Sequence, residues 1–255
     1  MYPELFHFGS FTVYGYGFCI MLGALLGYLY LLREGKKIQL NTDKAAQMTL
    51  LIFVSAYAGG KIFLWLSNWD YYMQNPAKMF QLNGSGFVFY GSFILAIISL
   101  FVFFRINKLK PSAVFDILAV TVTLVQGFGK IGCFMAGCCH GKVCSAPYGV
   151  TFTDAKSQAP LNVPLYPVQL IDAAIIFGCL VLILILKKRT YFNGKLMLIY
   201  GMFYGSGRFV TEFLRGDDDR GYWGALSQSQ WISIVIVGTC LYFFFRKTAL
   251  PTHRK

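Results

Sequence analysis

Apolar stretches of about 20 residues recur along this chain, and that is the length an α-helix needs to cross a hydrocarbon core of about 30 Å. Seven are predicted to do so, over residues 11–32, 45–66, 87–104, 112–137, 165–186, 196–214 and 230–245. Turn chemistry and charge coincide between them, at Asn75-Pro76, Asn83-Gly84, Lys110-Pro111, the 160–167 stretch and Asn193-Gly194. Of the 255 residues 56% are hydrophobic and 13% charged, with a mean hydropathy of +0.54. That is too much apolar surface for a water-facing globule to hide. The expected fold class is all-α: a polytopic membrane protein with seven transmembrane helices, forming a single integral membrane domain over 1–255.

A net charge of +12 in a soluble protein would suggest nucleic acid. Here the charges lie mostly in short loops, so they read as topology signals and no nucleic-acid partner is expected. Cytoplasmic loops retain Lys and Arg during insertion. One side collects Arg33, Lys36, Lys37, Lys44, Arg105, Lys108, Lys110, Lys187, Lys188, Arg189, Lys195, Arg246, Lys247, Arg254 and Lys255; the other has only Lys78, Lys142, Lys156, Arg215 and Arg220. The N-terminus is therefore predicted outside and the C-terminus in the cytoplasm. The first ten residues contain Glu4 but no Lys or Arg, so they lack the basic start of a cleaved signal peptide, and the first span is expected to be retained.

Lys61, Lys130, Arg208, Asp116, Asp172 and Glu212 fall inside the predicted spans, where each charge costs at least about 2.5 to 3.5 kcal/mol near a helix centre. All but Asp116 are predicted in the outer half. Asp116 is expected at the inner face, reaching water and pairing with a basic loop. Tyr204, Arg208 and Glu212 recur at i, i+4 and i+8, with Arg215 three further on, which predicts one helical stripe. A self-neutralising Arg208/Glu212 pair is one reading of that stripe. The other is an anion site, since three cations exceed two nearby carboxylates and Arg presents a fork of donors to phosphate oxygens.

The run from Gly127 to Lys142 holds glycines at 127, 129, 132, 137 and 141, and it is expected to break within the membrane to build a site around Lys130. Cys133, Cys138, Cys139 and Cys144 cluster near His140 at the predicted outer surface. Zinc accepts such ligands, but the spacing lacks the paired C-x2-C form; a disulfide in an oxidising compartment is the preferred reading. Cys19, Cys179 and Cys240 read as small core residues.

Tyr204-Gly205-x-x-Arg208-x-x-x-Glu212-Phe213-x-Arg215 resembles the Y-G-x-x-R-x-x-x-E-F-x-R helix of the prolipoprotein diacylglyceryl transferases of bacterial inner membranes. Tyr16-Gly17, Gly59-Gly60-Lys61-Ile62, Pro167-x-Gln169-Leu170 and Gln230 match further family segments in order. The chain departs from the pattern at Lys130, where the family has Arg, at Cys133 and Ala136 for two Asn, at Cys138 for Glu, and at Tyr90 for His. The resemblance implies transfer of an sn-1,2-diacylglyceryl group from phosphatidylglycerol to the lipobox cysteine of a prolipoprotein, at the outer leaflet of the bacterial inner membrane, without cofactor or metal. Lys61, Lys130 and Arg208 would then face the phosphate, with Tyr16, Tyr204, Gly141, Lys142 and Arg215 around the head group. His140 or Glu212 would serve as base, and Tyr90 would hydrogen-bond the lipid head. Two alternatives stay open: a relative that binds phospholipid without turnover, and an outer-face thiol redox protein.

Overall fold

The computed structural model describes residues 2–9, 11–38, 40–80, 88–145, 147–189, 194–217 and 221–246, apart from the side chains of Phe8, Phe11, Phe80, Phe89, Tyr90 and Arg189. It is mostly helical. Among the described residues five helices are long and apolar enough to cross a membrane: α1 (Gly15–Gly35), α2 (Thr42–Ser67), α5 (Pro111–Ala136), α6 (Val168–Arg189) and α8 (Gln228–Phe245). A short helix α3 (Trp69–Gln74) follows α2. The other two predicted spans are helical as well, as α4 (Phe89–Ile106) and α7 (Lys195–Thr211). At 17 residues, α7 extends only about 25 Å. Phe53, Val181 and Val235 are each more than half exposed on their helices, the reverse of a chain that folds in water.

Three local features differ from the sequence expectation. Residues 11–14 do not open the first span but form β2 (Phe11–Tyr14), paired antiparallel with β1 (Glu4–Phe8). The helix starts at Gly15, whose N–H donates to Pro3 O at 2.9 Å. Secondly, α5 runs unbroken through Gly127, Gly129 and Gly132 to Ala136. Two of these glycines serve close packing instead: a β-carbon at Gly127 would press on the Phe177 ring, and one at Gly132 on the backbone of Tyr16. Thirdly, α7 stops at Thr211, a single 3-10 turn covers Glu212–Leu214, and Arg215 is extended at φ −73° and ψ 144°. Arg215 therefore leaves the stripe that carries Tyr204 and Arg208.

The chain divides into two compact units, Met1–Leu31 with Phe115–Lys255, and Leu32–Val114. In the first, Ala119 and Val120 of α5, Cys179 and Ile183 of α6, and Leu196 of α7 form a buried cluster. Asp116 fixes the neighbouring end of α7, its carboxylate accepting from the N–H groups of Gly194 and Leu196 at 3.0 Å each. It thus satisfies open donors at a helix start, and the positive charge of Lys187 acts on the same carboxylate. Gln230 likewise closes a capping box with Ser227 at the start of α8. In the second unit α2 packs on α4 so closely that a β-carbon on Gly59 or Gly91 would run into the other's carbonyl, and Ser99 Oγ donates to Ser55 Oγ at 2.8 Å.

Candidate functional site

Lys130, near the C-terminal end of α5, donates to Asp172 Oδ2 of α6 at 2.5 Å, with both side chains largely buried. One turn before Asp172, on the same face of α6, lies Gln169. Its Nε2 donates to Cys138 O at 2.9 Å. The start of α6 therefore holds the end of α5 through an ion pair and the loop after it through an amide.

That loop reverses the chain through left-handed backbone at Gly137 (φ +80°) and at Cys139 (φ 57°). For a residue other than Gly this conformation costs on the order of 1–3 kcal/mol and persists only where the surroundings over-determine it. Here Gln158 N–H donates to Ala136 O at 3.0 Å, Gly216 N–H to His140 O at 3.1 Å, Lys142 N–H to Leu214 O at 2.8 Å and Tyr166 N–H to Lys142 O at 3.0 Å. Gly141 lies where these strands of chain meet, bridged to Arg215, and a β-carbon on it would run into the Tyr166 carbonyl. Its placement is one of backbone passage.

The reversal carries Cys138 and Cys139 back towards Cys133 on the last turn of α5, so that all three Sγ atoms lie within 4.8 Å of one another. This is the one grouping of His, Cys, Asp or Glu side chains among the described residues that could hold a metal ion. Cys144 stays outside it, with its N–H donating to Pro164 O at 2.9 Å. All seven cysteines are free, so the expected disulfide is not formed. Hydrogen bonds from the Cys133 and Cys138 thiols, aided by the positive charges of Arg215 and Lys130, hold Cys139 well below the usual thiol range. A hydrogen bond with Cys133 favours ionisation of Cys138, but the Cys139 sulfur and burial outweigh it and push that thiol up to about 11. Tyr16, 44% exposed at the start of α1, is within electrostatic reach of the same three sulfurs.

His140 is half-buried, with Nδ1 at 3.1 Å from Gly141 O. A carbonyl only accepts, so Nδ1 is the donor in this contact, which leaves Nε2 as the ring nitrogen able to take up a proton. Lys142 is exposed, and Arg215 is buried and paired with Asp217.

On α7, Arg208 Nη2 stands 2.7 Å from Glu212 Oε2 and reaches Ser229 Oγ at 3.4 Å, with the Glu212 side chain 2% exposed. The pair that neutralises the stripe is thus present, yet it engages only part of the fork. Arg208 Nη1 is buried and has no acceptor among the described residues. Gln169 Oε1 is a second such atom, a buried acceptor with no donor among them. Tyr204 stacks on Tyr200, ring centres 5.9 Å apart and planes at 5°, and Tyr200 OH donates to Gln126 Oε1 at 2.6 Å. Lys61 belongs to the other unit, buried on α2 with its ammonium 6.0 Å from the Tyr57 ring centre. Tyr90 lies in the first turn of α4, and its side chain is outside the described residues.

Sequence reasoning did not place Gln169 or Asp217 at the site. Gln169 had a usable signal, its position one helical turn before the membrane carboxylate Asp172. Asp217 had none, since its role depends on the chain turning at Arg215.

Residues 3–246 match the family model described as prolipoprotein diacylglyceryl transferase. The chain is 37% identical to a Clostridium perfringens protein named phosphatidylglycerol-prolipoprotein diacylglyceryl transferase 2, over 92% of this chain and 91% of that one. It is 35% identical to a phosphatidylglycerol-prolipoprotein diacylglyceryl transferase of Clostridium tetani, over 95% and 97% of the two chains, and 28% identical to one of Finegoldia magna, over 96% and 98%. With a match this continuous, the chain belongs to the prolipoprotein diacylglyceryl transferase family.

Proposed function

We propose that this protein moves an sn-1,2-diacylglyceryl group from phosphatidylglycerol to the lipobox cysteine of prolipoproteins, as a seven-span protein of the bacterial inner membrane with its N-terminus outside and its site towards the outer leaflet. The observation that carries this reading is Arg208, whose Nη1 is buried without an acceptor among the described residues, beside a guanidinium edge already used by Glu212. A buried charged donor left open is costly in the protein alone, and an anionic oxygen in that place removes the cost. A phosphodiester supplies such an oxygen. Gln169 Oε1 fits the glycerol part of the same head group, because it is a buried acceptor and the glycerol hydroxyls are donors. Lys130, Arg215, Tyr16, Tyr204 and the backbone at Gly141 and Lys142 surround this region in the reading, with His140 Nε2 as base for the acceptor thiol and Glu212 steadying Arg208.

The reaction asks for positive charge on the phosphate leaving group and for a thiolate. The test is purified protein with phosphatidylglycerol and a lipobox peptide, followed by mass spectrometry. Thioether peptide and released glycerol 1-phosphate in equal amounts are expected. Lipid binding with no thioether from any lipobox peptide would overturn the transferase reading in favour of a lipid-binding relative.

A further inference from the structure

The three sulfurs gathered by the left-handed turn at Cys139 have no part in the transferase chemistry described above. Their arrangement is that of a ligand set. Cys133 is fixed on a helix, and Cys138 and Cys139 on a loop tied down from Gln158, Gln169 and Gly216, so the sulfurs converge without any further folding step. Thiolates favour soft and borderline ions such as Zn2+ over hard ones. A structural zinc site takes four protein ligands, whereas three leave one position for an outside ligand. Among the described residues no fourth ligating side chain joins this group.

We propose that Cys133, Cys138 and Cys139 bind one thiophilic divalent ion of the Zn2+ type, and that its fourth position takes the sulfur of the acceptor cysteine. The identity of that incoming thiol rests on the transferase reading; the metal site itself does not. The thiols of Cys133, Cys138 and Cys139 release their protons to water on binding the metal, the acceptor thiol gives its proton to His140 Nε2, and a metal-bound thiol is then held deprotonated near neutral pH. The acceptor thiolate then attacks the glyceryl carbon bonded to the phosphate oxygen. A C–S bond forms, the C–O bond breaks, and the electron pair leaves with glycerol 1-phosphate. No oxidant or reductant is consumed.

The experiment uses the full chain in detergent micelles, kept reduced, stripped with a chelator and titrated with Co2+ as a spectroscopic probe. One Co2+ per chain with sulfur-to-cobalt charge-transfer absorption is expected. Cys139→Ser and Cys133→Ser should weaken binding at least about 10-fold, since loss of even a supporting residue costs that much, while Cys144→Ser should bind like the parent. A lipobox peptide should change the absorption, and the same peptide with Ser for its cysteine should not. X-ray absorption on the Zn2+ form of the unaltered protein stands independently of how the variants fold, with three sulfur neighbours at about 2.3 Å rising to four with peptide. No charge-transfer band, equal binding by parent and Cys139→Ser, or a disulfide among the three cysteines in the reduced protein would overturn the metal site. Three sulfurs that stay three with peptide would overturn the acceptor role. If the peptide sulfur binds the metal but no thioether forms with phosphatidylglycerol, the transferase reading fails and the metal site stands. Full thioether yield from metal-free protein would instead overturn the acceptor role of the metal and leave the transferase reading in place.

Discussion

Arg208 separates a phosphate site from a packing pair, because one substitution acts on the two differently. In Arg208→Lys the ammonium keeps a positive charge within reach of Glu212, but the second donor edge at Nη1 is lost. If that edge meets a phosphate oxygen, its loss removes one charge-assisted hydrogen bond, worth about 1.5–3 kcal/mol. At about 1.4 kcal/mol per decade that is a fall of roughly 10- to 150-fold in kcat/KM for phosphatidylglycerol. Stability should change far less than when the charge is removed, because the buried carboxylate keeps a cation beside it. Arg208→Met, by contrast, takes the charge away from a nearly inaccessible Glu212 and should cost about 3–5 kcal/mol of stability. Arg208→Met with Glu212→Gln should recover much of that stability and none of the activity. The assays are initial-rate thioether formation over a phosphatidylglycerol series and thermal unfolding in detergent. Arg208→Lys with activity within about 3-fold of the parent, at the bond energies used above, would refute a phosphate contact at Nη1.

Lys130→Met or Asp172→Asn alone should each destabilise by about 3–5 kcal/mol, because each leaves one charge of a buried pair behind, while the double substitution should unfold close to the parent; a double-mutant cycle in the same unfolding assay measures the coupling. His140→Gln should lower thioether formation by about 100-fold or more while phosphatidylglycerol binding is unchanged, the range expected of a general base, and full activity in that variant would remove His140 from the reaction. Asp116→Ala should lower stability by about 1–2 kcal/mol through loss of the acceptors at the start of α7, with the KM for phosphatidylglycerol unmoved.

Much of the helical plan is legible from local composition. The predicted stretches 45–66 and 165–186 overlap α2 and α6 closely, because twenty apolar residues in a row satisfy both the length and the backbone requirements of a membrane helix. The same reasoning overran where local polarity was the weaker influence. Phe11 and Val13 are as apolar as the helix that follows, yet they pair with Phe8 and Phe6 across a hairpin. The glycines of α5 read as a break because Gly is permissive in isolation; against Phe177 and Tyr16 the missing β-carbon makes room for a neighbouring element and the helix continues.

At the site, the order of charged residues in the chain already pointed to Lys130, Asp172, Arg208 and Glu212, since a charge within an apolar run is expensive wherever the fold places it. Which of them touch is another matter. That Lys130 meets Asp172 across two helices, and that Arg215 swings off the α7 stripe to lie beside Cys139, follow from the turns after Ala136 and Thr211. The cysteine spacing has no metal-binding form when read along the chain, because that form assumes a regular turn between ligands. Left-handed backbone at Gly137 and Cys139, held by hydrogen bonds from segments far away in sequence, is what brings the three sulfurs together. Hydropathy is a property of neighbours along the chain and so fixes the helices; convergence of side chains depends on the path between helices, which only the tertiary structure decides.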